Sequence, residues 1–439
     1  MDSIHWPGKA QWPSWQKILF RFFFIYFIIY TEPWTWIQLL PFSWIGKITQ
    51  PYYNAMSWLV NWSNNKIFHA YPALVPLNGS GDTSFGWTQL RLFLLLAFAG
   101  CIVWSLLDMR RANYNRLAYW FRVVLRYTLI MNCFGYGIAK LFSFQMPFPS
   151  LSQLATPLGD YLPMRLSWMY MGYSSTYQFF AGAFEVLAGI LLLFPRMATF
   201  GTIVALGVFT NVMIMNMGYD IPVKLFSTHL VIMCFVLLAF EYKRILALLF
   251  NKPMEAGTIY RRVFLKRWMT IAAIVLKLAF IVFVVILPFK DSYKEYSAAK
   301  KLKPGGPIKT GVYEVKTYVL NGDTIPFTYN NKLRWKDVIF DNNMSGSVGS
   351  LDTMFRQRYG RGYFGFSIDS TGKNLDIIKR NVDFTTFPLG SLHFELPDSN
   401  TVVLSGMLRK DSVYALLVRT DRHFQLTERQ FHWLSEYNR

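Results

Sequence analysis

Apolar runs of about twenty residues recur along the first 290 positions, near 17–40, 88–107, 117–142, 174–194, 197–216, 223–241 and 268–289. In hydrocarbon each backbone polar group needs an internal partner, so runs of this length predict membrane-spanning helices. Beyond position 290 the pattern changes to two-residue alternation broken by turn signals. Gly311–Leu320 ends at Asn321-Gly322-Asp323, and Tyr363–Asp369 precedes Ser370-Thr371-Gly372. Leu392–Leu396 turns through Pro397-Asp398-Ser399-Asn400 into Thr401–Leu408, and Val413–Arg419 follows the Lys410-Asp411 turn. Hairpin signals in series predict an antiparallel all-β barrel or sandwich of about six to eight strands. The fold class is therefore a polytopic α-helical membrane protein of about seven spans with a C-terminal extracytoplasmic β domain.

The same pattern divides the chain into 1–116, N-terminal spans with an aromatic loop, and 117–242, a core of four spans. A basic loop and last span occupy 243–289, and a linker with the β domain occupies 290–439. The linker, Lys300–Pro307, contains Lys-Pro-Gly-Gly-Pro and so stops any helix. Glu32 and Pro33 interrupt the first run, which predicts a bend. The bulky Trp34, Trp36 and Trp44 beyond it point to an uncleaved anchor rather than a signal peptide. The stretch 41–87 has few charges but carries Trp44, Tyr52, Tyr53, Trp58, Trp62 and Trp87, a composition suited to an interfacial helix.

A net charge of +20 raises the question of nucleic acid, which the distribution answers. Residues 290–439 hold 22 Lys/Arg and 16 Asp/Glu, whereas the first 289 hold 23 and 9, so most of the excess lies beside the predicted spans. Arg110, Arg111 and Arg116 occupy one connection, and Lys243, Arg244, Lys252, Arg261, Arg262, Lys266 and Arg267 another. With Arg196 after Pro195, these loops predict a cytoplasmic N-terminus and an outer C-terminus, with the β domain in the periplasm of a bacterium and the spans in its inner membrane. The partner implied is the lipid bilayer and not nucleic acid.

Cys101, Cys133 and Cys234 all fall in predicted spans, where an isolated cysteine behaves as a small apolar residue. They lack metal-ligand spacing, and the six histidines are scattered, so no metal site is expected. Gly360-Arg361-Gly362-Tyr363-Phe364-Gly365 spells a dinucleotide fingerprint, but a β-type run follows it where a helix is required. The sequons at Asn61, Asn78 and Asn343 are short patterns expected by chance.

Polar residues inside the spans carry the candidate chemistry. Asn132, Tyr136 and Lys140 recur every four residues and share one face near the outer end of the third span, and Arg122 and Arg126 repeat that spacing near its inner end. Glu185 lies at mid-depth in the fourth span, Asn211 and Asn216 in the outer half of the fifth, and His229 in the outer half of the sixth. Asp220 and Lys224 flank the short outer turn between the fifth and sixth. An ionisable group at the bilayer centre costs roughly 2.5 to 3.5 kcal/mol on insertion scales and faces the bundle interior with a partner. For Glu185 the partners available are Lys140, His229 and Lys277 of the seventh span.

Three segments, Tyr136-Gly137-Ile138-Ala139-Lys140-Leu141, Phe184-Glu185-Val186-Leu187-Ala188-Gly189 and Tyr219-Asp220-Ile221-Pro222-Val223-Lys224-Leu225, resemble the DoxX family of small four-helix membrane proteins. The resemblance covers roughly residues 117–242. It implies kinship with the membrane subunit of a thiosulfate:quinone oxidoreductase, and with the four-helix core of vitamin K-dependent carboxylase-like proteins. Extra helices and an outer β domain are not part of the minimal pattern.

Two classes of function follow. In the first, a pocket among spans three to six takes a quinone. Glu185 and His229 exchange protons, Lys140 and Tyr136 hydrogen-bond a carbonyl oxygen, and Asn132, Asn211, Asn216, Asp220, Lys224 and Lys277 complete the polar lining. No flavin or metal signature supplies electrons, so this reading requires a redox partner protein. In the second, the protein is a non-enzymatic scaffold or a binder of lipophilic ligands, whose outer domain docks an envelope partner. An apolar hollow barrel would favour ligand carriage and a filled one docking. Secondary transport is disfavoured because the spans show no inverted repeat.

Overall fold

A computed structural model describes residues 11–253, 266–301, 306–328, 331–342, 344–381, 385–429 and 431–436. Arg261, Arg262, Asn343 and the centre of the predicted linker lie outside them. The chain forms two compact units. One comprises Met1–Pro147 and Tyr170–Ala298, the other Phe148–Met169 and Ala299–Arg439.

The first unit is helical. Its helices are α1 (Ser14–Thr31), α2 (Trp44–Ser63), α3 (Ser84–Leu107) and α4 (Asn115–Leu141). Two helices, α5 (Leu151–Leu154) and α6 (Pro163–Tyr173), lie in the connection that follows, α5 and most of α6 belonging to the second unit. Next come α7 (Ser175–Leu193), α8 (Ala198–Gly218), α9 (Lys224–Ala239), α10 (Tyr242–Leu249) and α11 (Arg267–Ile281). A π-helical turn at Val282–Ile286 continues α11 into α12 (Leu287–Lys301).

Among the described residues, four helices are long and apolar enough to cross a membrane: α3, α7, α8 and the continuous α11–α12. The pair α9 and α10, bent by 82°, passes the same test only when counted together as one span. By contrast α4 carries Arg116, Arg122, Arg126 and Lys140, and α1 carries Lys17 and Arg21. The first apolar run is not one helix to position 40. Glu32 takes a left-handed conformation at φ 42°, ending α1, and Pro33–Leu39 winds as a 3-10 turn. The helix of the seventh predicted span, in turn, runs past the expected 289 to Lys301, because Ser297-Ala298-Ala299-Lys300-Lys301 has strong helix propensity and nothing before the Pro/Gly stretch stops it. The aromatic stretch does contain a helix, α2, with Trp44, Trp58 and Trp62 exposed.

The helical core gathers Phe27, Leu125, Leu129, Ile130, Phe134, Leu192, Phe209 and Met233, all nearly sealed from solvent. Glycines set the closest approach within it. A Cβ on Gly137 of α4 would sit 3.0 Å from the Gly182 carbonyl oxygen. One on Gly182 of α7 would sit 2.7 Å from the Gly137 oxygen and 2.8 Å from Lys140 Cβ. Only hydrogen fits at these positions, so α4 and α7 pack backbone to backbone, as small residues allow between apolar helices.

The second unit is a closed barrel. Its strands are β1 (Gly311–Leu320), β2 (Asp323–Thr324), β3 (Asp337–Phe340), β4 (Ser345–Val348), β5 (Arg356–Arg358), β6 (Arg361–Ile368), β7 (Asn374–Arg380), β8 (Thr386–Glu395), β9 (Thr401–Leu408) and β10 (Asp411–Arg419). Antiparallel pairing runs β10-β9-β8-β7-β6-β4-β3-β1, and β1 pairs back onto β10, which closes eight strands and leaves β2 and β5 as short additions. The expectation of a barrel or sandwich resolves to a barrel. Gly390 and Gly406, at φ +146° and +153°, sit on the paired strands β8 and β9 where a side chain would strike the neighbouring carbonyl, and they allow the sheet to bend there.

Alternation does what the pattern implied. Val413, Ala415 and Leu417 point inward from β10, as do Val402, Leu404 and Leu408 from β9. They meet Tyr313, Tyr318, Trp335, Phe340, Phe355 and Phe364 in a filled interior. The space left among these side chains is about 10 Å³. The G-x-G-x-x-G segment is a hairpin, with Tyr359 and Gly360 at φ 52° and 70° forming its two-residue turn and Gly362 and Gly365 inside β6.

Candidate functional site

The sequence places the best candidate chemistry on α4, α7 and α9. Because Gly137 and Gly182 draw α4 against α7, Lys140, at the end of α4, reaches Glu185 one turn along α7 and forms a salt bridge with its Oε1. The side chains of this pair are 5% and 2% exposed. Glu185 Oε2 is equally buried and has no hydrogen-bond partner among the described residues. The Lys140 ammonium also lies 5.7 Å from the centre of the Tyr136 ring, one helical turn back. In an apolar interior a carboxylate oxygen without a protein donor is energetically costly.

His229, on α9, is held from two sides. Its Nδ1 donates to the Leu225 carbonyl of its own helix at 2.5 Å, so Nε2 is free to accept from the Tyr26 hydroxyl, also at 2.5 Å. The Tyr30 ring stacks on the imidazole at 4.0 Å with 3° between the planes. No hydrogen bond joins His229 to Glu185 or Lys140. Tyr136, which carries the Lys140 ammonium over its ring, packs against Phe226 of α9 at 6.1 Å.

The other expected residues divide. Asn216 is buried on α8, whereas Asn211 is exposed. Asn132 donates to the Thr128 carbonyl of its own helix at 2.8 Å. Lys224 and Asp220 pair at 2.7 Å at the surface, with Asp220 82% exposed. Lys277 does not meet Glu185. Its Nζ donates to the Leu193 carbonyl at 3.0 Å, where it satisfies the last turn of α7. Mid-depth along the chain placed it level with Glu185, but the helix face on which it projects leads elsewhere.

Other buried polar contacts are not announced by the sequence pattern. Tyr26 and Tyr30, four residues apart on an apolar helix, carried the only available signal for the aromatic cage of His229. Asp82, ahead of α3, accepts from the backbone nitrogens of Lys224 and Leu225 at 2.8 and 3.0 Å and caps the start of α9, which fixes His229 one turn further on. Arg21 is buried and bonded to the Tyr114 hydroxyl at 2.7 Å, the Ser105 hydroxyl at 2.9 Å and the Asp108 carbonyl at 2.8 Å.

A second polar cluster, which no local pattern announces, lies in the barrel unit. The Ser152 backbone nitrogen and hydroxyl donate to Asp341 at 3.2 and 2.6 Å, and Ser347 donates to the Ser152 hydroxyl at 2.7 Å. Arg361 donates to Ser347 at 2.9 Å and grips the Asp337 carboxylate with both terminal nitrogens. Burial pushes the Asp341 carboxyl above its usual range, and the Ser152 bonds oppose that rise. Tyr359 accepts from Arg165 at 3.2 Å and from Arg358 at 3.1 Å. Burial would raise its phenol, but these two guanidinium groups hold it below the ordinary value. These contacts fasten the segment Phe148–Met169 to the barrel.

Fold and site together define a class: a helical bundle with apolar helices and a buried Lys–Glu pair, joined to a closed, filled eight-stranded barrel. No family model matches the chain, and no solved structure does. A curated relative, the uncharacterized protein YwoB of Bacillus subtilis (strain 168), is 30% identical over 139 residues, which is 31% of this chain and 87% of that protein. The chain belongs to the family of YwoB.

Proposed function

We propose that the helical unit is a DoxX-like integral membrane subunit in which Lys140 and Glu185 form a proton-exchanging site for a lipophilic carrier such as a quinone. The carrying observation is the unpartnered Glu185 Oε2 beside the buried Lys140 ammonium. That oxygen can take a proton or accept a hydrogen bond from a reduced ring, while Lys140 stabilises charge on a ring oxygen. The Tyr26–His229 pair supplies a second proton carrier behind Tyr30 and Tyr136. Electrons come from a partner protein. In this reading α1, α4 and the apolar helices cross a bacterial inner membrane seven times, with the N-terminus in the cytoplasm and the barrel in the periplasm.

A filled barrel favours a second role for the outer unit. With about 10 Å³ of free space it has no room for a ligand, so it serves as a docking module for an envelope partner. If that were its whole function, the buried pair would only fasten helices. Glu185→Gln separates the two readings, because it keeps shape and removes charge. Loss of quinone-analogue binding in a variant that still unfolds cooperatively supports the proton-exchanging site. Retained binding with lowered thermal stability leaves only the structural role.

A further inference from the structure

A cavity lies away from the Lys140–Glu185 pair, among the start of α4, the turn between α7 and α8, and the end of α9. It measures about 430 Å³, and its charged lining is Arg122, Arg126, Arg196 and Arg244 against the single carboxylate of Glu241. We propose that it binds a phosphate-bearing anion, either a lipid headgroup or free phosphate.

The balance of partners leads to an anion. Glu241 is already engaged twice, accepting from Arg122 at 2.5 Å and from Arg244 at 3.1 Å. Nothing acidic remains in the lining for Arg126 and Arg196. Arg126 Nε is buried without a hydrogen-bond partner among the described residues, although its guanidinium lies 5.5 Å from the Tyr127 ring centre. Guanidinium forks match phosphate oxygens in pairs, so an anion in the cavity gives Arg126 Nε the acceptor it lacks. A third feature converges there. Ala198 and Thr199, the first residues of the 21-residue helix α8, line the same cavity, and α8 begins without a side-chain cap. Its unsatisfied amides and the positive end of its dipole favour negative charge at that spot. The C-terminal ends of α7 and α9 account for some attraction of arginines, but not for a cavity of this size left open among four of them.

The full chain, reconstituted in nanodiscs, provides the test through its thermal unfolding. Inorganic phosphate is titrated into discs of phosphatidylcholine, and in a separate series phosphatidylglycerol replaces part of the phosphatidylcholine. A rise in unfolding temperature with phosphate indicates a free anion, and a rise with phosphatidylglycerol alone indicates a headgroup. Arg126→Gln is expected to weaken the apparent affinity about tenfold. Arg196→Gln, which alters an exposed side chain and leaves the fold intact, is expected to weaken it severalfold, so the test stands if the first variant fails to fold. Lys243→Gln, outside the lining, should keep the full response. No shift with either probe overturns the proposal. So does a response that the arginine variants keep, or one that Lys243→Gln loses to the same extent, which would mark diffuse electrostatics.

Discussion

Breaking the Lys140–Glu185 pair one side at a time gives the sharpest thermodynamic expectation. Both side chains are almost sealed from solvent, so neither charge recovers hydration when its partner goes. Lys140→Met leaves a carboxylate with both oxygens unbonded, since Oε2 has no other partner, and Glu185→Leu strands an ammonium beside the Tyr136 ring. Each single change is expected to cost about 3 to 5 kcal/mol, the range for a buried charge left uncompensated. The double variant replaces the pair by apolar groups of similar volume and should recover most of that loss, giving a coupling of about 2 kcal/mol or more. Denaturant unfolding of the four proteins in one detergent measures the cycle. Additive effects, or single variants within about 1 kcal/mol of wild type, would refute an uncompensated buried charge and the geometry behind it.

Other perturbations probe the elements that position this pair. Gly182→Val places methyls where the Gly137 carbonyl lies 2.7 Å from a Cβ, and it should cost about 1 to 3 kcal/mol by thermal or denaturant unfolding; an unchanged midpoint would contradict the close packing of α4 and α7. In the barrel, Asp369 accepts from Thr371 and from the side chain and backbone of Asn374, and these bonds hold its carboxyl below the usual 3.8. Its folded value is depressed, so the stability advantage of wild type over Asp369→Asn should be full above about pH 4 and vanish as pH falls through the folded value; an advantage growing toward acid would reverse the sign. The segment 308–439 expressed alone should show a β-type circular dichroism spectrum. A peptide covering 148–169 should raise its unfolding temperature by restoring the Ser152 bonds to Asp341, and no change would deny that attachment.

How much of this was legible follows from the range of the forces involved. Local periodicity is written within a few residues, so α4, α7, α8, α9, β1 and β9 emerge from hydropathy and alternation within a few positions of their observed ends. Short elements escaped: β3, β4 and β5 span only three or four residues, too few to establish a period, and β7 carries Lys379 and Arg380 at its end. Assignment of Phe148–Met169 to the barrel unit was invisible, because it rests on Ser152 meeting Asp341 and Ser347 almost two hundred positions away.

The candidate site shows the same division. Lys140 and Glu185 were recognisable because charge in an apolar run demands a partner, and the small residues Gly137 and Gly182 brought that partner close. The choice of Lys140 over Lys277 depended on which helix face points where, and depth alone does not carry that information. Tyr26 and Tyr30 looked like two more aromatics among many until the fold set them against His229.

We propose above that the Lys140–Glu185 site serves a lipophilic ring compound. A cryo-electron microscopy map of the full protein, purified with its native lipids and without added ligand, tests it most directly. Planar density is expected within hydrogen-bonding distance of Glu185 Oε2 and beside Tyr136. A map in which side chains alone fill that space, with Lys140 and Glu185 paired and nothing against the free oxygen, would contradict it.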